Sequence, residues 1–156
     1  MAPRSFTRSG HTLAPVDVVW PMVAEAARWK EWSFLDRSEL VTEGSPVPDG
    51  VGAVRSFTRA GVGSREEVVA WEPPTHLGYV ILRGFPVRDY RADVVLAPAA
   101  AGGAGSAHGT TVTWSARFEP RYPGTGAATG LVLQQIIQRF ITSLVRYADR
   151  QYAAGS

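Results

Sequence analysis

The chain contains no cysteine, so disulfides, thiolate nucleophiles and cysteine-ligated metals are excluded by composition alone. Lysine is nearly absent too: Lys30 is the sole one among 16 basic residues, which are scattered beside acidic neighbours and form no run or stripe. A pI near 9.3 therefore rests on a formal net charge of only +2, and phosphate-tracking surfaces need denser cation clusters than this. Nucleic acid is not an expected partner. No apolar run approaches the length of a membrane span, and the basic N-terminal residues Arg4 and Arg8 precede no apolar segment. Membrane insertion is not expected, and a cytoplasmic protein is. His11, His76 and His108 lack metal-ligand spacing, and no serine sits in a Gly-x-Ser-x-Gly elbow, so neither a metal centre nor hydrolase chemistry is indicated. Gly50-Val51-Gly52 follows a Pro-rich loop and opens a strand, the reverse of a phosphate-binding loop, and reads as a turn. No cofactor is implied.

What is present is a core-forming chain. At 156 residues it fits one domain, 1–156, able to bury roughly 70% of its unfolded surface. Its strongest pattern comes last: from Gly126 to Asp149, Leu133, Ile136, Ile137, Phe140, Ile141, Leu144 and Ala148 recur at three- and four-residue steps. Gln134, Gln135, Gln138 and Arg139 fill the other face, as in a long amphipathic helix. Before it, Ser5–Leu13 reads as a strand. Val16–Ala27 and Arg28–Trp32 read as two short helices, with Pro21 in a first turn where its missing N–H costs nothing.

From Arg37 the period changes to that of strands: Ser38–Thr42, Ala53–Arg59, Arg65–Trp71, Leu77–Arg83, Arg88–Leu96 and Thr110–Phe118. Pro/Gly clusters separate most of them, and Ala97–Gly109 is an Ala/Gly-rich loop. Short connections make neighbouring strands antiparallel, because parallel ones need a longer crossover. The expected architecture is α+β, a curved antiparallel sheet of about seven strands around the terminal helix, with two short helices after strand 1.

Several segments resemble the START-like, Bet v 1-type superfamily (SRPBCC), and within it the bacterial polyketide cyclase/dehydrase-like branch. They are Trp29 to Trp32 after the helical pair, Gly50-Val51-Gly52, Val69-Ala70-Trp71-Glu72-Pro73-Pro74 with Leu77 and Tyr79 beyond, and Gly109-Thr110-Thr111-Val112-Thr113-Trp114. The resemblance covers nearly the whole chain. It implies a helix-grip fold with a hydrophobic ligand cavity between sheet and helix; periodicity alone gives only a sheet packed on a helix.

Aromatic side chains could line such a cavity: Trp29, Trp32, Phe34, Phe57, Trp71, Tyr79, Tyr90, Trp114, Phe118 and Phe140, with Leu133, Ile137 and Leu144 from the helix. The alternative for each is a place in the core. Chemistry, if any, falls to charged and phenolic groups. By strand alternation Arg55 shares a face with Phe57, Glu67 with Trp71, and Arg83 with Tyr79. If those faces point inward, Arg55, Glu67, Tyr79 and Arg83 meet in the cavity; otherwise the charges face solvent.

Three functions remain open. One is a carrier or sensor for a hydrophobic lipid, aromatic or polyketide-like molecule. The second is a cyclase/aromatase-like enzyme with Glu67 as base and Arg55, Arg83 or Tyr79 steadying oxyanion charge. The third is a protein-binding module. A monomer or homodimer serves each.

Overall fold

The structure is a computed structural model that describes residues 3–99 and 109–155. Seven strands form one antiparallel sheet in the order β1-β7-β6-β5-β4-β3-β2. They are β1 (Arg4–Thr12), β2 (Arg37–Thr42), β3 (Val54–Arg59), β4 (Val62–Glu72), β5 (His76–Arg83), β6 (Val87–Pro98) and β7 (Thr110–Pro120). Between β1 and β2 lie α1 (Val16–Ala24), a 3₁₀ turn (Ala26–Arg28) and α2 (Trp29–Trp32); the chain closes with α3 (Gly126–Gly155). This is the α+β helix-grip architecture, with the sheet curved around α3. Residues 100–108, which hold most of the Ala/Gly-rich loop and His108, lie outside the described residues.

The α3 stripe is used as its spacing requires. Leu133, Ile137, Ile141, Leu144 and Ala148 are all buried. Opposite Ile141, β1 carries Gly10, where a Cβ would stand 2.5 Å from the Ile141 methyl, so only glycine lets strand and helix approach this closely. Asp149 then ties the helix to the end of β1: its carboxylate accepts from Thr12 Oγ1 at 2.6 Å and from the Leu13 N–H at 2.8 Å.

The helical pair differs from expectation in one place. Pro21 sits inside α1, its sixth residue, rather than in the first turn, and there it removes an internal hydrogen bond. The helix ends soon after, at Ala24, with Glu25 extended at ψ 112°.

Turn chemistry sets the register that matters for the site. Ala60 and Gly61, with φ of 52° and 81°, make a two-residue hairpin turn between β3 and β4. Arg59 therefore pairs with Val62, and counting back, Phe57 faces Ser64 and Arg55 faces Glu66. Between β4 and β5 the register slips twice. Val68 and Ala70 face the consecutive residues Tyr79 and Gly78, leaving Val69 extra on β4. Arg65 and Glu66 face Arg83 and Ile81, leaving Leu82 extra on β5.

Candidate functional site

Between the sheet and the N-terminal half of α3 lies a cavity of about 280 Å³. Leu133, Ile136, Ile137 and Phe140 form its roof; Phe57, Tyr79, Ile81 and Tyr90 form its floor. Phe34 and Leu35, from the loop after α2, close one side. Arg59, Val62, Gly63, Gly84 and Phe85, from the β3–β4 and β5–β6 turns, surround the mouth. The loop bearing Phe34 is held by three bonds: Arg59 Nη1 to the Phe34 carbonyl (2.5 Å), Asp36 N–H to the Thr58 carbonyl (3.0 Å) and Ala60 N–H to the Asp36 carboxylate (2.7 Å).

One ion pair stands at the inner end. Arg55 donates from Nη2 to Glu66 Oε1 at 2.9 Å, directly across the β3–β4 ladder, with side-chain exposures of 0% and 9%. Three rings enclose the guanidinium, those of Trp29, Phe57 and Tyr79, with centroids 5.0 to 5.1 Å from its carbon. Its Nε and Nη1 have no hydrogen-bond acceptor among the described residues. The electron-rich ring faces stabilise that charge in place of water. Glu66, unlike Arg55, borders the cavity, and its second oxygen lies 3.5 Å from Ser64 Oγ. Burial raises the Glu66 carboxyl above its ordinary range, against the opposing charge and hydrogen bond of Arg55.

The phenols belong to the same region. Tyr79 accepts a hydrogen bond from Trp114 Nε1 at 3.1 Å, and burial pushes its hydroxyl well above the ordinary value. Tyr90, whose ring centroid lies 6.3 Å from that of Tyr79, is raised likewise by burial. Both stay protonated and serve as neutral hydrogen-bonding groups. Phe140 stacks on Phe34 (4.9 Å) and on Trp114 (5.7 Å), joining the roof to the core.

Against the expected site residues, the structure brings Phe57, Tyr79, Tyr90, Leu133, Ile137 and Phe140 to the cavity wall. Arg55 faces inward as alternation predicts, but behind Glu66 and its box of rings. Trp29, Trp32, Trp114, Phe118 and Leu144 are core residues that do not border the cavity. Trp29 and Trp32 spend their indole N–H groups on the carbonyls of Val23 and Met22.

Glu67 and Arg83 are corrections. Strand alternation puts Glu67 on the face of Trp71, but the extra Val69 reverses alternation between them, so Glu66 points inward and Glu67 to the other side. Alternation likewise puts Arg83 on the face of Tyr79 and Ile81, but the extra Leu82 aligns it with Arg65, and it is exposed. Glu66 and Ser64 are the polar wall residues that strand alternation missed. The signal that finds them is the Ala60-Gly61 turn: a two-residue loop fixes Arg55 opposite Glu66. Among the described residues no group of three or more His, Asp or Glu side chains could hold a metal ion, and no helix is long and apolar enough to cross a membrane.

A family model described as polyketide cyclase / dehydrase and lipid transport matches residues 3–149. Proteins of Mycobacterium tuberculosis and Mycobacterium bovis, described as uncharacterized, are 25% identical over 163 residues, spanning 99% of this chain and 90% of each relative. A START superfamily protein from Mycobacterium smegmatis superposes with a TM-score of 0.76 at 8% identity, covering 94% of this chain and 98% of that one. Norcoclaurine synthase from Thalictrum flavum, solved as a point mutant with a transition-state analogue, gives 0.72 at 10% identity, with 97% of each chain covered. At such identities the two structures speak to the fold alone.

Proposed function

The chain belongs to the polyketide cyclase/dehydrase and lipid transport family, and on that footing we propose that it binds a hydrophobic small molecule, lipid, aromatic or polyketide-like, in the cavity under α3. The observation that carries this reading is the cavity itself: about 280 Å³ walled by apolar and aromatic side chains, with few polar groups at its inner end. Small-molecule sites are built this way, a hydrophobic enclosure with sparse groups that fix orientation. The reading includes one ligand-binding domain over residues 1–156, acting in the bacterial cytoplasm as a monomer or homodimer without cofactor, nucleic acid or membrane insertion.

Native mass spectrometry of freshly purified protein tests it, together with thermal melts against a panel of apolar ligands. A retained small molecule, or a melting shift with apolar ligands that saturates, supports binding. An empty protein that no apolar ligand stabilises removes the proposal.

A second reading, cyclase-like catalysis, is favoured by one observation. Glu66 is a buried carboxyl on the cavity wall whose affinity for a proton is raised by that burial. Such a group suits removal of a proton from a carbon beside a carbonyl, with the protonated Tyr79 hydroxyl steadying the enolate oxygen that results. Conversion of a poly-ketone by the unmodified protein, abolished in Glu66→Gln, would establish it; ligand bound and returned unchanged would leave binding alone.

A further inference from the structure

We infer, building on the ligand-binding reading, that the natural ligand is a one- or two-ring apolar compound bearing a neutral or cationic hydrogen-bond donor, a hydroxyl or an amine, and that the site discriminates against carboxylates. Size gives the first half. A space of about 280 Å³ lies at the small end of ligand pockets, which run to roughly 1,000 Å³, and suits a compact one- or two-ring compound.

The polar end gives the second half. An arginine in a cavity invites a ligand carboxylate, but Arg55 is fully enclosed and its charge is already matched by Glu66 at 2.9 Å. The charged group presented at the inner end is the acceptor, not the donor. One Glu66 oxygen is held by Arg55, while the other has, among the described residues, only Ser64 Oγ at 3.5 Å, the outer limit of a hydrogen bond. That oxygen can take a proton donor from the ligand. Tyr79 and Tyr90 can donate to the same hydroxyl or accept from an amine, and the surrounding rings favour a cation over an anion. A carboxylate would bring a second negative charge beside Glu66 in a space with little water, and could enter only with a proton on itself or on Glu66.

Calorimetric titration of the unmodified protein with naphthalene, a naphthol, a naphthylmethylamine, which is cationic at neutral pH, and the corresponding naphthoate, at neutral and mildly alkaline pH, tests the inference. A donor to a charged acceptor should tighten naphthol and naphthylmethylamine over naphthalene by roughly ten- to a hundredfold, with naphthoate no tighter than naphthalene. In Glu66→Gln, which keeps an acceptor for Arg55, the naphthol advantage should shrink about tenfold and the penalty on naphthoate should relax. Naphthoate binding as tightly as naphthol overturns the inference, whether it sits at Glu66 or turns toward Arg59 at the mouth; loss on Arg59→Gln identifies the latter. Equal binding of all four compounds sinks the inference and leaves the binding function standing; binding of none of them also sinks the inference, while the binding function then stands or falls on native mass spectrometry and the wider panel of apolar ligands.

Discussion

Glu66→Ala should be among the most damaging single changes available to this protein, because it strips a buried guanidinium of the one acceptor it has among the described residues. Arg55 is 0% exposed, and among the described residues its Nε and Nη1 already lack acceptors. Removing Glu66 orphans Nη2 as well, and breaking a buried pair in this way costs about 3 to 5 kcal/mol. The three rings around the guanidinium do not rescue it, since they are present before and after the change. For a domain of this size the melting temperature should fall by roughly 6 to 20 °C. Arg55→Met behaves differently. Glu66 can shed its charge by taking up a proton, so its folded-state pKa lies above the unfolded value and the variant regains stability as pH falls, losing it as pH rises through that raised value. The double variant Arg55→Met/Glu66→Leu removes both charges and should return to within about 1 kcal/mol of the parent or exceed it. Urea denaturation followed by tryptophan fluorescence reads Glu66→Ala and the four corners of the cycle built from Arg55→Met, Glu66→Leu and their combination, since Trp29 touches the guanidinium. A Glu66→Ala penalty below about 1 kcal/mol, or a double variant as unstable as the two singles added together, would refute the reasoning.

Two further outcomes are expected. Phe140→Ala should cost about 2 to 3 kcal/mol, less than a fully enclosed phenylalanine, because the ring is half-buried and borders the cavity; it should also admit bulkier ligands, measured by melts with and without them. On the sheet's other face His76 is clamped between Glu72 (2.6 Å) and Asp93 (2.7 Å), where burial works to lower its pKa but those carboxylates prevail and raise it above 6.5. The clamp's stability is therefore present below about 6.5 and fades as pH rises through the raised value, a trend in melting temperature that His76→Gln should abolish.

How far the sequence revealed this molecule depended on whether a pattern carries its own registration. The α3 stripe does, because each turn of helix repeats the same face, and the buried set Leu133, Ile137, Ile141, Leu144 and Ala148 follows directly. Turn residues likewise separate the strands. Strand alternation transmits facing only while no residue is added, and β4 and β5 each add one. Parity taken from Trp71 therefore fails at Glu67, and parity taken from Tyr79 fails at Arg83. Parity taken from the Ala60-Gly61 turn crosses no bulge on β3 or β4 before Arg55 and Glu66, and reaches the correct pair. Aromatic content was a poor guide to the wall for another reason: the rings of Trp29 and Trp114 fill the core beneath the cavity, and only packing distinguishes the two.

The long helix divides its work along its length. Its C-terminal half is anchored, with Ile141 against Gly10, Leu144 fully buried and Asp149 bonded to the end of β1. Its N-terminal half roofs the cavity through Leu133, Ile136, Ile137 and Phe140. Substitutions beyond Ile141 should thus act on the whole fold, whereas those nearer the N-terminus can alter ligand choice at smaller cost. The polar end obeys the opposite logic. Arg55 and Glu66 neutralise one another, so neither can change alone without exposing the other, yet only Glu66 touches the ligand space. Selectivity is consequently easiest to retune at Ser64, Tyr90 and the helix roof, while Glu66 holds the preference for a donor and Arg55 holds Glu66.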